Sequence, residues 1–378
     1  MVLYRLFRDA DPQQYCLISE NKWISSDSGS HQPNQLPGKY YQLPLQRYLS
    51  CHGSNRFRQS VAIPLAVLSR AKQIADIVSY EKCDAVVACT GDLLDLPAGY
   101  LASCRTGVPF FAYIFDHYSY REWYNSVRQF WAKRFEPVLM RKAAGVIAPN
   151  EVLRDDLRQN FGINAAVIHN SLDISTYQTL MDNAPVKSDT EVRIVYTGNI
   201  YEAHYDAFRN LLDAIKRLEG TNIKLHLYTT RTPDELANVN IQGPIVCHPH
   251  RTPVEIPSIQ RQANFLFLPL AFNSPYPDLV RTSATTKLGE YLAARRPVIA
   301  HAPPDSFVAW YFREHRCGLV VDRDDSVLLA QTIEQALNDE GLSREIEARA
   351  WVRAQTDFSV TTAQTKFTEL VECVSRST

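Results

Sequence analysis

The sequence is short of the features that would place it in most of the common functional classes. Its eight cysteines (16, 51, 83, 89, 104, 247, 317 and 373) are scattered, with no CxxC. They read as reduced, mostly buried thiols of a cytosolic protein. There is no Walker A run and no GxGxxG, so chemistry on ATP or NAD finds no support. The formal net charge is −1, too small to create a global field for nucleic acid. The most apolar runs, 109–115 and 264–272, fall far short of the ~20 residues a spanning helix needs. No apolar leader core follows Met1, so no secretory signal is expected, and the expected location is the cytoplasm. Internal repeats and long low-complexity segments are also lacking.

What remains is an ordinary globular composition, 45% hydrophobic and 21% charged over 378 residues. That length predicts about two domains. Short apolar runs read as strands at 15–18, 85–89, 110–115, 145–148 and 166–169, with helical patterns at 61–80, 121–144 and 151–161. Residues 20–40 are polar, carry Gly and Pro, and read as a loop. After a polar stretch at 183–191 the alternation restarts. Strands are expected at 192–196, 223–228, 245–247, 264–270, 297–300 and 318–321, and helices at 203–218, 254–263, 286–295, 325–338 and 360–374. Strands alternating with helices argue for parallel α/β sheets. The expected fold is therefore two Rossmann-like α/β/α domains facing across a cleft. Residues 1–182 form the first, 183–191 the linker and 192–355 the second. A final helix at 356–378 is expected to return to the first domain. Clefts between domains are favoured ligand sites.

The segment from Ser283 to His301 carries the most chemistry. It reads as loop, helix and strand, following the strand at 264–270. In open parallel sheets, ligands bind outside the carboxyl ends of strands, and the free N–H groups where a helix starts attract phosphate. Here that start has two hydroxyl residues, Thr285 and Thr286, and the cation Lys287. Glu290 follows on nearly the same face, placed to accept hydrogen bonds from neighbouring sugar hydroxyls. The alternative is structural: Lys287 and Glu290 pair on a helix surface, and a threonine serves only as N-cap.

Several runs resemble the family 4 retaining glycosyltransferases, whose fold is GT-B. They are 286–294 (TKLGEYLAA) with 297–300 (PVIA), similar to the family's K-L-x-E-Y-L-A-x-G-x-P-V-I. The runs 143–149 (AAGVIAP), 167–173 (VIHNSLD) and 196–199 (YTGN) are also similar to family segments. The resemblance covers nearly the whole chain. It implies transfer of a sugar from a nucleotide-sugar to an acceptor, with the nucleotide in the C-terminal domain. Lys287 and the N–H groups of Thr285 and Thr286 would face the diphosphate, and Glu290 would bind ribose hydroxyls. Gly198 would let backbone approach the phosphates, and Arg251, next to His250, would lie beside the base. Asp116 and His117, at the end of the strand at 110–115, match the position of a catalytic polar residue near the donor sugar. Retention, and stabilisation of the leaving diphosphate by N–H groups and cations rather than a metal cofactor, are further expectations.

The chain departs from the family pattern at three places. Family members carry a glutamate eight residues before the ribose-binding one, where this chain has Thr282. The helix before the Pro-Val strand usually ends in glycine, where this chain has Arg295, which predicts a left-handed residue at about 1 kcal/mol. Residues 1–7 read as the family's first helix, so its first strand and Gly-rich loop are expected to be lacking.

Two further features bear on partners. Residues 121–145 interleave basic and aromatic side chains, a pattern suited to an anionic membrane surface and equally to a core helix with a solvated basic face. Cys247, His248, His250 and His226 are chemically suited to a metal, though their spacing matches no standard site. The acceptor is expected to be a sugar or a lipid-linked sugar. Two other activities fit the same fold, a nucleotide-sugar epimerase and a GT-B-shaped protein that binds without catalysis.

Overall fold

A computed structural model describes residues 2–20, 35–44, 56–119, 126–180, 191–218 and 220–375. The chain divides into two compact units, Met1–His169 with Ala363–Thr378, and Asn170–Thr362. The division falls at His169/Asn170, ahead of the expected linker, of which 183–190 lie outside the described residues. The reason is packing: residues just after His169 already hydrogen-bond within the second unit, Leu172 N–H donating to the Phe358 carbonyl at 2.7 Å.

The first unit runs α1 (Val2–Phe7), β1 (Cys16–Ser19), β2 (Lys39–Gln42), α2 (Arg56–Glu81), β3 (Val86–Cys89), α3 (Asp95–Thr106), β4 (Phe110–Tyr113), α4 (Ser126–Lys142), β5 (Gly145–Ala148), α5 (Glu151–Phe161) and β6 (Ala166–Val167). Strands β3-β4-β5-β6 form one parallel sheet in chain order, and β1 pairs with β2 as a separate parallel pair. With strand order equal to chain order, right-handed crossovers place α3, α4 and α5 on one face. Their core there includes Ile63, Val67, Ala98, Ile114, Leu139 and Leu153. The other face holds Tyr113, Ile147 and Ile168 with Leu6 of α1 and Ala363. The residue run at 20–40, read as loop, contains the start of β2; 21–34 lie outside the described residues, as does the 121–125 part of the basic aromatic segment.

The second unit begins with α6 (Ile174–Gln178). It continues through β7 (Val192–Thr197), α7 (Tyr205–Arg217), β8 (Ile223–Tyr228), α8 (Pro233–Asn238), β9 (Ile245–His248), α9 (Ile256–Arg261), β10 (Phe265–Pro269), α10 (Pro277–Arg281), α11 (Lys287–Ala293), β11 (Val298–His301), α12 (Phe307–His315), β12 (Leu319–Val321), α13 (Ser326–Asn338) and α14 (Glu340–Asp357). Helix α15 (Val360–Ser375) starts here and ends in the first unit, where Lys366 Nζ donates to the Val167 carbonyl at 3.3 Å. The parallel sheet order is β12-β11-β10-β7-β8-β9. Strand order therefore reverses between β7 and β10, and in such sheets the ligand crevice opens outside the carboxyl ends at that reversal.

Two local findings bear on the departures from the family pattern. Arg295, in the glycine-like position after α11, is left-handed at φ 52°. Its guanidinium lies 5.9 Å from the Trp351 ring, a cation–π contact that offsets part of that strain. Thr282, in the place of the family's first glutamate, is fully buried, and its hydroxyl donates to the Asp278 carbonyl at 2.9 Å.

Candidate active site

The carboxyl ends of β7 and β10 are tied together before any functional side chain is placed. The Ala271 N–H donates to the Ala203 carbonyl at 2.8 Å. Asp206, in the first turn of α7, accepts from the N–H groups of Phe272 and Asn273 at 2.9 and 2.8 Å. These bonds fix the loops after β7 and β10 to each other and frame the crevice at the sheet's reversal point.

Gly198 is the first residue beyond β7. Its φ of +127° is one that residues with a Cβ rarely adopt. A Cβ there would stand 2.5 Å from Cε of Lys287. Gly198 and Lys287, read separately as parts of a phosphate site, are thus in direct contact. Lys287 opens α11, and its Nζ lies 5.3 Å from the centroid of the Tyr196 ring. It makes no ion pair among the described residues, so the surface Lys287–Glu290 pair considered from sequence is not formed. Burial lowers its pKa, while the nearby Glu290 charge acts in the opposite sense. A half-buried ammonium against ring and backbone, with no ion pair among the described residues, suits an anion.

The residues around Lys287 are set by α11. Thr285 Oγ1 accepts from the Lys287 N–H at 3.3 Å, while Thr286 makes no side-chain cap. Glu290 is half-buried one turn further on. Buried Tyr291 reaches back to β7, its hydroxyl oxygen accepting from the Thr197 N–H at 3.0 Å. This bond sets α11 against the end of β7 and therefore Lys287 against Gly198. His204 adds a neutral wall. Its Nδ1 is 3.5 Å from the Tyr196 hydroxyl, and burial, with the Lys287 charge, drives its pKa down to about 3. Tyr196 and Tyr291 fall in family-like runs of the sequence but without a role of their own, and His204 was not singled out, because each becomes meaningful only through a partner on another element.

Arg251 is half-buried and follows β9 at the carboxyl edge of the same sheet. Its guanidinium pairs with Glu255 at 3.4 Å. The metal-like group of Cys247, His248, His250 and His226 is split by strand alternation. Cys247 packs on the apolar core face of β9, while His248 points to the opposite face, 2.9 Å from His226. The other nitrogen of His226 meets Glu191 at 3.0 Å. Among the described residues no group of three or more His, Cys, Asp or Glu side chains is placed to hold a metal ion.

In the first unit, Asp116 and His117 follow β4 at the carboxyl edge of its sheet. His117 is buried, and its Nε2 lies 2.9 Å from Oδ2 of Asp156 on α5. The carboxylate fixes the ring orientation, as it does for many working histidines. Asp156 was not singled out from the sequence. A second pair lies on the same edge: His169 Nε2 is 3.1 Å from Glu151. Burial alone would raise the Glu151 carboxyl, and the His169 contacts outweigh it and hold the group below its ordinary range.

The family model described as Glycosyltransferase Family 4 matches residues 51–176, and that described as Glycosyl transferases group 1 matches residues 191–339. A comparison by sequence with curated proteins finds no match. Among solved structures, a glycosyltransferase from Rickettsia africae ESF-5 is similar with a TM-score of 0.63 and 16% identity, over 90% of this chain and 86% of that one. Sucrose-phosphate synthase from Thermosynechococcus elongatus gives 0.66 and 12%, over 97% and 90%. Anabaena Alr3699/HepE, in complex with UDP and glucose, gives 0.57 and 16%, over 90% and 87%. With both family models matched in order along a chain of this fold, the protein is a GT-B glycosyltransferase of the family 4 kind.

Proposed function

We propose that this glycosyltransferase draws its sugar from a nucleotide-sugar held by the Asn170–Thr362 unit, and transfers it with retention of configuration and without a metal. The observation that carries this reading is Lys287, a half-buried ammonium with no ion pair among the described residues, in contact with Gly198. Lys287 and the backbone of Thr285 and Thr286 take the diphosphate, and Glu290 takes the ribose hydroxyls. The anomeric C–O bond to the diphosphate breaks as a bond to the acceptor oxygen forms. The acceptor proton leaves with the departing phosphate oxygen, and the ammonium stabilises the charge that develops there. UDP is the first nucleotide to test, because Anabaena HepE is seen in complex with it.

Asp116 and His117 of the first unit serve the reacting sugar, His117 with its orientation set by Asp156. The acceptor is a sugar, free or lipid-linked. Helix α4 supports peripheral contact with an anionic membrane, since Lys133, Arg134, Arg141 and Lys142 are exposed together with Phe130 and Val138. No described helix is long and apolar enough to cross a membrane.

A thermal-shift panel of UDP-, GDP-, ADP- and dTDP-sugars tests the donor site, because a ligand that binds only the native state raises Tm. A rise with one nucleotide class, lost in Lys287→Ala and Glu290→Ala, is expected. No rise with any of them overturns the reading. Product NMR reports the anomeric configuration, chelator tests the metal, and flotation with anionic liposomes tests the membrane contact.

A further inference from the structure

The loop that carries Lys287 is held in place by a residue far away in the sequence. Asn170 is the first residue of the second unit. Its Nδ2 donates to the Ala284 carbonyl at 2.6 Å, across 114 positions. Ala284 directly precedes Thr285, Thr286 and Lys287. The amide must face this way, because turned over it would set its oxygen against the Ala284 oxygen. Its Oδ1 is buried and has no hydrogen-bond partner among the described residues, an arrangement that costs stability.

The segment after Asn170 is fixed as firmly. Leu172 N–H donates to the Phe358 carbonyl at 2.7 Å, and Val360 N–H donates to the Leu172 carbonyl at 3.2 Å. The Leu172 and Phe358 side chains close on Gly289 of α11, where a Cβ would meet them at 2.8 and 2.9 Å. Asn170 therefore stands on a fixed base and grips the Lys287 loop at one point.

We propose that Asn170 is a positioning residue for diphosphate binding: it sets the Ala284 carbonyl, and through it the backbone and ammonium that receive the phosphates. It acts on the phosphate end of the ligand and not on the nucleoside. This inference rests on the donor site proposed above.

The test is calorimetric titration of UDP, GDP and ADP, each beside its nucleoside, into wild type, Asn170→Ala, Asn170→Asp and Lys287→Ala. Asn170→Ala should weaken the preferred diphosphate about 3- to 10-fold, the effect of one net hydrogen bond, and leave the nucleoside within about 2-fold on the same scale. Asn170→Asp should weaken it more near neutral pH, where a carboxylate faces both a carbonyl and the phosphates. It should recover relative to wild type as the pH falls, because the protonated carboxyl again donates to Ala284. A merely structural role would lower Tm, weaken nucleoside and diphosphate together and show no recovery. That result, or unchanged diphosphate affinity in both Asn170 variants while Lys287→Ala loses it, overturns the inference alone. A wild type that binds none of the diphosphates, or Lys287→Ala that binds as wild type does, removes the donor reading and this inference with it.

Discussion

Gly198 and Lys287 touch, although 88 positions separate them in the numbering: a methyl on Gly198 would stand 2.5 Å from Lys287 Cε and 3.0 Å from its Nζ. The contact means that the ammonium position is set by the absence of a side chain at the end of β7. It also means that the lysine is packed between that backbone and the Tyr196 ring, 5.3 Å away, instead of ranging through solvent. A charge held in this way is in place before the ligand arrives.

Gly198→Ala should therefore cost function as well as stability. The lysine end is flexible and will yield to the methyl, so the steric cost is small. The backbone strain at φ +127° is about 1–3 kcal/mol. Displacement of Lys287 should weaken nucleoside diphosphate binding by about tenfold, the loss of one charge-assisted contact of about 1.5 kcal/mol or more. Titration of the diphosphate beside its nucleoside checks this, and equal loss for both would place the effect in general unfolding of the loop.

His117→Ala separates the two units functionally. Removing the ring takes away the 2.9 Å contact of half-buried Asp156, a loss of about 1–3 kcal/mol in stability. Sugar transfer should fall in kcat, with the diphosphate dissociation constant unchanged. A variant that keeps full transfer activity while showing the stability loss would assign His117 to structure alone.

The central strands of the second unit were legible because they are buried and short. Phe265–Pro269 is a short, wholly apolar run, the pattern of a parallel strand buried on both faces, while Ile223–Tyr228 alternates Ile, Leu and Leu with Lys224, His226 and Tyr228 and reads as a strand by its period of two. Helix α12 escaped detection for the same reason. Phe307–His315 is apolar or aromatic nearly all round and buried, so it shows no helical period. Helix α3 contains Pro97 and Gly99, which read as breakers, yet Gly99 lies inside a helix that packs on the sheet. Strand β2, Lys39–Gln42, has polar ends and pairs only with β1. In the site, Lys287 and Gly198 carry their chemistry in their own residue types. Tyr291, His204, Asp156 and Asn170 do not, since each acts through a partner that only the folded chain supplies.

Asp95 offers a pH test in the first unit. Buried Arg70 faces three carboxylates, Asp95 at 2.6 Å, Asp92 at 2.9 Å, and Glu20. Burial, and then the Asp92 charge, push the Asp95 carboxyl from its ordinary 3.8 to about 7, against the pull of Arg70. A raised acid pKa makes the folded state the tighter proton binder. Its contribution to stability is whole below pH 3.8, declines as the unfolded chain releases its proton, and is lost once the folded group ionises near pH 7. The side chain is 41% exposed, so solvent softens the slope. Asp95→Asn should flatten stability against pH between about 4 and 7 and gain on wild type above pH 7. Urea melts at several pH values check it, and an unchanged slope would refute the coupling.

Gly289→Ala tests whether α11 has any room to move. Alanine is the better helix former by about 1 kcal/mol, so an unhindered site would be stabilised. Here the new methyl would lie 2.8 Å from Leu172 Cδ2 and 2.9 Å from Phe358 Cδ1. Neither neighbour can withdraw freely. Leu172 and Phe358 are joined by a 2.7 Å backbone hydrogen bond, and the Phe358 ring packs on the edge of Tyr311 at 5.6 Å. Helix α11 cannot retreat without pulling the Tyr291 hydroxyl from the Thr197 N–H at 3.0 Å. Overpacking of this kind costs about 1–3 kcal/mol, which exceeds or cancels the helical gain. The expected outcome is a Tm lowered by a few degrees, at about 2–4 °C per kcal/mol for a domain of this size, together with weaker diphosphate binding as Lys287 shifts with its helix. A raised Tm with unchanged affinity would show that α11 is free to slide, and that its fixed placement is not what positions Lys287.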